Sequence, residues 1–402
     1  MTIQTAANVA AIIAREITTG TAALTSATNA RVIRIVGSPG LDLKRAQILS
    51  NEKRDDGNKG MGRLGGKSVD GSINSELTVG GAMTVLIEGI LRAAFSTSTA
   101  IGFASMTTVS VATNGIVGTG GDWVGSQGLR VGDIVTLTTG VAANANLRTP
   151  ITAITSLTIS VPAGTFTVAA ATSTGTLTRL RKVVQGTTPV RYSHTIEQYN
   201  EDADLSELFL GCRLTGLSLS MKPGQMVTAG FSFMGMDRTA LLTSTSPWFT
   251  AQPGVTTGLS LVADDSSILD AGVAVTTFTG FDLNFSIAAA GAAVIGSFIS
   301  PDIFDNDLSV TGSITGLRSD FANLTRYDAE TEFDLMVVLT EPTTAPKPCF
   351  AIYVPRVKIG GLSAPLGGDD GPQIETLSLI IGPRVAATGF DATVASISQS
   401  TQ

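Results

Sequence analysis

Residues 211–236, GCRLTGLSLSMKPGQMVTAGFSFMGM, alternate apolar with small polar side chains. Leu217, Leu219 and Met221 enclose Ser218 and Ser220. Beyond KPGQ, Val227, Ala229, Phe231 and Phe233 alternate with Thr228, Gly230 and Ser232. A period of two with one apolar face predicts a pair of strands. Pro223–Gly224 suits the centre of a type II turn, because Pro presets φ and Gly tolerates φ > 0. The second face carries only Ser, Thr and Gly, suited to close packing against another sheet or to lining a wet cavity.

A different period appears at 81–94, GAMTVLIEGILRAA. Met83, Leu86, Ile87, Ile90 and Leu91 follow the i, i+3, i+4, i+7, i+8 spacing of an amphipathic helix. It follows a predicted strand at 67–79 and is expected to cap one end or face of the β-structure. Residues 283–301, LNFSIAAAGAAVIGSFISP, lack charge, with Asp282 and Asp302 at the edges. Asn, Ser and Gly make the stretch too polar for a comfortable membrane span, so it predicts a buried strand pair. The opening MTIQTAANVAAIIAREITTG has no basic n-region, and Arg15 and Glu16 interrupt its apolar run, so it does not read as a signal peptide.

The pattern echoes itself. VDGSINSEL (69–77) returns as VTGSITGLR (310–318), each leading toward a helical segment; the second is 319–328, with Ser319 or Asp320 as N-cap. CRLTGLSLSM (212–221) is echoed by PRVKIGGL (355–362), and VTAGFSFMG (227–235) by ETLSLIIG (375–382). The shared order strand, helix, strand, hairpin predicts a duplicated module. Gly71 to Arg213 spans roughly a hundred residues more than Gly312 to Arg356. The excess, 101–178, contains short strand patterns at 128–140, 150–161 and 164–178 and almost no charge. It predicts a small β-barrel or sandwich inserted in an exposed loop. The expected division is 1–100 with 179–250, the insert 101–178, and 251–402. Upstream, 30–37 reads as a strand, and SNEKRDDGNKGMGRLGG (50–66) is charged and glycine-rich. It is either a solvated loop or an arm that orders against a neighbouring subunit.

Composition adds to this picture. Only 15% of the 402 residues are charged and 5% are aromatic, which favours a mainly β chain. The net charge of −7 does not suit gripping nucleic acid, and low charge density fits surfaces covered by neighbours. Cys212, Cys349 and a single histidine, His194, give no structural zinc spacing; the thiols are expected to be reduced, a disulfide between them being the alternative. His194 lies on a predicted strand and reads as a structural or solvent-exposed residue. No G-x-S-x-G elbow and no P-loop is present, GTGGDWVG (118–125) reads as a turn, and the acids at 305–313 and in GGDDG (367–371) lack EF-hand spacing. EDADLSEL (201–208) reads as an acidic helical turn. No catalytic residue, cofactor or metal site is expected.

In order along the chain, NEKRDDGNKGMGRLGGKSVDGSINSEL (51–77), the inserted LRVGDIVTLTTGVAANANLRTPITAITSLTI (129–159), RYSHTIEQYNEDADLSELFLGCRLTGLSLSMKPGQMVTAGFSFMGMD (191–237) and VPRVKIGGLSAPLGGDDGPQIETLSLIIGPR (354–384) resemble the tail tube (major tail) proteins of long-tailed bacteriophages. The resemblance implies two tandem β-sandwich tube domains, each with a flanking helix, whose strands join neighbouring subunits in stacked rings around a lumen. Family members with one tube domain form sixfold rings, so a duplicated chain implies a trimer of pseudo-sixfold symmetry. It further implies a virion protein assembled in the host cytoplasm. Its partners would be other copies of itself and the tape measure, terminator and distal tail proteins, with no membrane. DNA would pass through the lumen without specific binding. Ser218, Ser220, Thr228, Ser232, Thr376 and Ser378 are the lumen-facing candidates. Lys53, Arg54, Asp55, Asp56 and Arg63 are the inter-subunit arm candidates. The rival classes are a ring protein of a contractile-injection or secretion needle, and a β-rich surface adhesin.

Overall fold

Among the described residues strand follows strand with two α-helices between them, and a computed structural model gives the coordinates. They describe the chain except residues 1–7, 24–29, 38, 140–141, 187, 204, 243–247, 249–252, 344, 366–370, 386 and 401–402. Most of GGDDG and the residues around the 250/251 boundary thus lie outside the described residues. The fold is mainly β.

Before the helix α1 (Ala82–Leu91) come β1 (Val9–Arg15), β2 (Arg31–Ile33), β3 (Gly40–Ile48) and β4 (Arg63–Glu76). Nine short strands follow: β5 (Thr99–Gly102), β6 (Val109–Ala112), β7 (Gly115–Gly118), β8 (Ile134–Thr139), β9 (Arg148–Pro150), β10 (Ala153–Ile154), β11 (Thr158–Ser160), β12 (Ala169–Thr172) and β13 (Thr176–Arg179). The chain returns through β14 (Arg181–Val184) and β15 (His194–Asn200) to the long β16 (Leu205–Met221), β17 (Thr228–Gly235) and β18 (Asp237–Leu242). Then come β19 (Ser266–Asp270), β20 (Val273–Val275), β21 (Phe278–Gly291), β22 (Ile303–Leu317), α2 (Ala322–Asp328), β23 (Phe333–Thr340), β24 (Cys349–Ser363), β25 (Ile374–Ile381) and β26 (Ser396–Gln399).

The pairing order repeats. In the first half β2–β1–β15 leads to the start of β16, flanked also by β18, while the end of β16 continues into β17–β4–β3. In the second half β20–β19–β23 leads to the start of β24, flanked also by β26, and the end of β24 continues into β25–β22–β21. Register shifts fall at corresponding places, between Leu214 and Gly216 and between Ile359 and Gly361. Matching Phe233↔Gly71 with Leu379↔Gly312 sets Leu214 against Ile359 and Arg213 against Lys358. The sequence echo, which set Arg213 against Arg356, is therefore two residues out; β24 lacks the charge pattern that would fix its phase. The shared V-x-G-S-I has a steric cause: a Cβ on Gly71 would meet the Gly40 carbonyl at 2.1 Å, and one on Gly312 the Asp282 carbonyl at 3.0 Å.

The two halves share one apolar core, which runs from Ile73, Phe231 and Leu217 through Phe285 and Ile314 to Leu377 and Ile359. Helix α1 buries Met83, Leu86, Ile87, Ile90 and Leu91 against it, as its spacing predicts. Helix α2 buries none of its residues; Asp320 Oδ1 accepts the amide of Ala322 at 2.8 Å near its start. The turn after β16 also matches its prediction, with Gly224 at φ 70° and the Gln225 amide donating to the Lys222 carbonyl at 3.2 Å.

Strands β5–β13 form two sheets of their own, β10-β11-β7-β6-β12 and β5-β13-β8-β9, around a separate core that includes Phe103, Trp123, Leu137 and Ile159. Trp123 explains GTGGDWVG: its turn inserts the indole into this core, where Nε1 donates to the Leu157 carbonyl at 3.0 Å. This unit rests on the second half, where Val131, Ile134 and Leu180 pack on Met336, Ala351 and Tyr353. Lys182 fixes it further, bonding Asp133 at 2.6 Å and Asp391 at 2.7 Å. Burial pushes the Asp133 carboxyl above the usual range, opposed by the Lys182 charge.

Other expectations need correction. Residues 283–301 are not a strand pair: β21 ends at Gly291, and 292–302 form the tip of its hairpin with β22, because Pro301 and the glycines at 291 and 296 break the run. EDADLSEL is a 3-10 turn at Glu201–Ala203, with strand from Leu205. Strands β1 and β26 were not anticipated. Cys212 and Cys349 are free, buried thiols, the first raised well above its ordinary pKa and the second pushed to about 11, chiefly by burial.

His194 is fully buried on β15, not solvent-exposed. Burial, reinforced by the Arg15 and Arg213 charges, pushes its pKa down to about 3. The fold holds it neutral, whereas the unfolded chain takes a proton near pH 6.5. Its contribution is complete above pH 6.5 and is lost as pH falls toward 3, at about 1.4 kcal/mol per pH unit. The corresponding residue of the second half is Phe333. His194→Phe is therefore expected to flatten the acid side of the stability curve, measured by denaturant unfolding between pH 7 and 4.

Candidate functional site

Strand alternation sorts β3, β4, β17, β16, β21, β22, β25 and the end of β24 into an apolar side, buried in the core, and a polar side. Among the six serines and threonines singled out from the sequence, Ser218, Thr228, Ser232, Thr376 and Ser378 are exposed and Ser220 is half-buried. All lie on the polar side: Ser218 faces Gly230, Ser220 faces Thr228, Gly216 faces Ser232, Ser378 faces Ser313 and Thr376 faces Thr315. The missed neighbours are Ser72 and Asn74 on β4, Asn284 and Ser286 on β21, and Ser309 and Thr311 on β22. A hollow of about 480 Å³ indents this side between Ser218, Ser232, Met234, Asn284 and Ser286.

The charges on this side are mostly acidic. Asp42, Asp70, Glu76 and Asp282 share it, with Lys44 held by Asp70 at 2.7 Å. Lys44 thus adds a basic group to this side, and its charge is paired. At one end stand Arg213 and Lys358, each beside carboxylates.

What makes the surface continuous is the ladder β16–β21, from Gly216↔Ser286 to Met221↔Phe281, which joins the two repeats edge to edge. Beside it Asp305 lies in a cage of arginines. Its carboxylate meets Arg213 at 2.7 Å, Arg191 at 3.1 Å and Arg92 at 3.4 Å. Arg213 also reaches Asp302 at 2.8 Å, and Arg92 donates to the Asn306 carbonyl at 2.8 Å. Arg213, Arg92 and Asp305 are nearly inaccessible to water, so their charges depend on one another. The hairpin tip 292–302 lies against the first repeat, with the Lys67 amide donating to the Phe298 carbonyl at 2.7 Å and the Arg45 guanidinium 5.5 Å from the Phe298 ring.

The corresponding tip of the first repeat is the charged segment between β3 and β4. Lys53, Arg54, Asp55, Asp56 and Arg63 are all exposed there, with Arg54 and Asp56 3.3 Å apart. Local amide and side-chain hydrogen bonds to Asn58 hold the Asp56 carboxyl below its usual range. Among the described residues no three His, Cys, Asp or Glu side chains assemble as a metal site, and no helix is long and apolar enough to cross a membrane.

A duplicated set of long hairpins joined edge to edge, with one buried face and one polar face, defines a β-structural protein with an extended polar surface. The sequence profile of a family described as phage tail tube protein matches residues 6–380, and the chain belongs to that family. No curated protein matches the chain. Membership gives it a structural role in the virion tail, self-assembly, and contacts with other tail proteins; the family is a structural one and not a known enzyme family.

Replacing Arg213 strands Asp305 and Asp302 with part of their compensation gone. Arg213→Met is expected to lose about 3 to 5 kcal/mol in urea unfolding. Adding Asp305→Leu is expected to give no recovery, since it leaves the buried Arg92 without its carboxylate.

Proposed function

We propose that three copies of this chain close a ring, that rings stack into a tube, and that the polar side of the joined sheet lines the channel through which the genome passes. The observation that carries this is the single eight-stranded surface made by two topologically equivalent repeats, which ends in an unpaired strand edge at each side among the described residues. A repeat that already pairs with its twin inside the chain has the geometry to pair again with the next chain, and a closed ring removes both exposed edges. Three chains of two repeats give pseudo-sixfold symmetry.

The lining fits passage without binding. Ser, Thr, Asn and Gly dominate it, acids outnumber bases, and its one lysine away from the end of the sheet is neutralised. Phosphates held by Lys or Arg would stick, whereas this wall repels them. On this reading the chain comprises 1–100 with 179–250, the insert 101–178, and 251–402. The insert, docked on the face of β23 and β24 that points away from the shared core, projects outward. Tape measure, terminator and distal tail proteins are the partners at the tube and its ends, and assembly takes place in the host cytoplasm.

Electron microscopy of the purified protein is expected to show hollow tubes with threefold rings; compact monomers at every concentration would refute the tube. Ser218→Lys with Ser220→Lys should still form tubes, because both side chains lie off the core. It should slow genome release several-fold at low salt, with recovery at high salt as phosphate contacts are screened. Unchanged release would place these serines away from the DNA path.

A further inference from the structure

We infer that the seam between subunits copies the internal β16–β21 ladder, with β24 of one chain pairing antiparallel to β3 of the next in a fixed register. This deepens the tube reading and rests on it. The repeat correspondence sets Gly361, Leu362 and Ser363 against Gly216, Leu217 and Ser218, and Lys44, Leu43 and Asp42 against Ser286, Phe285 and Asn284. Inside the chain Gly216 pairs Ser286, Leu217 pairs Phe285 and Ser218 pairs Asn284. The seam therefore pairs Gly361 with Lys44, Leu362 with Leu43, and Ser363 with Asp42 of the next copy.

Two independent observations point to that occupant. First, Leu217 and Phe285 are each 2% exposed at the internal junction, whereas their counterparts Leu362 and Leu43 remain half-buried. A strand added at each edge completes the burial that the internal junction already has. Second, the second repeat's hairpin tip is seated on the first repeat through the Lys67–Phe298 backbone bond, whereas residues 51–59 of the first repeat's tip are all exposed and await a surface. The second repeat's hairpin carries Asp302 and Asp305 into Arg92, Arg191 and Arg213 of the first. The first repeat's hairpin tip carries Glu52, Lys53, Arg54, Asp55, Asp56 and Lys59, a mixed set, and the surface that would receive it has Lys358 where the first repeat has Arg213, with Glu330 three residues before Phe333 as Arg191 is three before His194. Glu330 is highly exposed, with Lys358 at 3.5 Å. Glu332 beside it is bound by Arg356 and Lys358, so the receiving surface is mixed rather than purely acidic. Leu64, exposed, stands where the second repeat has Asp305. Within the chain the first repeat's arginines receive carboxylates, whereas at the seam the second repeat's mixed surface receives a mixed tip, and that difference guards the order of repeats around the ring.

Two engineered sets test the register on the full-length chain. Asp42→Cys with Ser363→Cys places thiols on directly opposed residues of the seam, within reach of a disulfide after mild oxidation. Lys44→Cys with Ser363→Cys is offset by two residues. The first pair is expected to give covalently closed trimers on denaturing gels and the second at least several-fold less. Tubes that form while the opposed cysteines fail to link, or while only the offset pair links, would overturn the register and leave the tube standing. A chain that never assembles, with the parent protein equally monomeric by sedimentation, would overturn both.

Discussion

Every long strand in this protein must find hydrogen-bond partners on both edges, and the way β16 does so organises the rest. Its first half sits between β15 and β18, its second half between β17 and β21. One strand thus stitches the two layers of the first repeat together and joins that repeat to the second. Strand β24 has the same two-part construction, yet its second half is paired only with β25 among the described residues. The contrast between a satisfied and an unsatisfied copy of the same strand is what a single chain contributes toward an assembly.

Polar groups are distributed to protect this junction. Buried carboxylates and arginines are seldom a net gain in stability, but they penalise misplacement heavily. Asp305, held by three arginines from the helix end, the strand entry and β16, is satisfied only when the second repeat's hairpin lies in its present register. The apolar core supplies most of the cohesion and the cage supplies the alignment. The inserted unit is fastened by the same logic on a smaller scale, with Lys182 shared between Asp133 and Asp391 beneath an apolar contact.

Much of this was legible in the chain itself. The two-residue period from Leu217 to Phe233, the Pro223–Gly224 turn, the 3.6-residue spacing of Met83 to Leu91 and the repeated V-x-G-S-I are local signals, and local geometry enforces each. Elsewhere the local signals are weak. The short strands β1 and β26 have no distinctive alternation, and β24 has no pattern to fix its phase against β16, so Arg356 was taken for Lys358. His194 could not be placed because a lone polar residue on a strand has no sign of which side is covered.

The sequence by itself determined which faces are apolar, where turns fall and that a module occurs twice, because side-chain alternation and backbone sterics act within a few residues. Only the tertiary structure decided that β16 pairs with β21, that Asp305 meets Arg92, Arg191 and Arg213, and that the scattered serines and threonines share one surface. Those facts depend on strand register between segments far apart in the chain, where shifting a pairing by one residue exchanges the two faces, and no local signal carries that information.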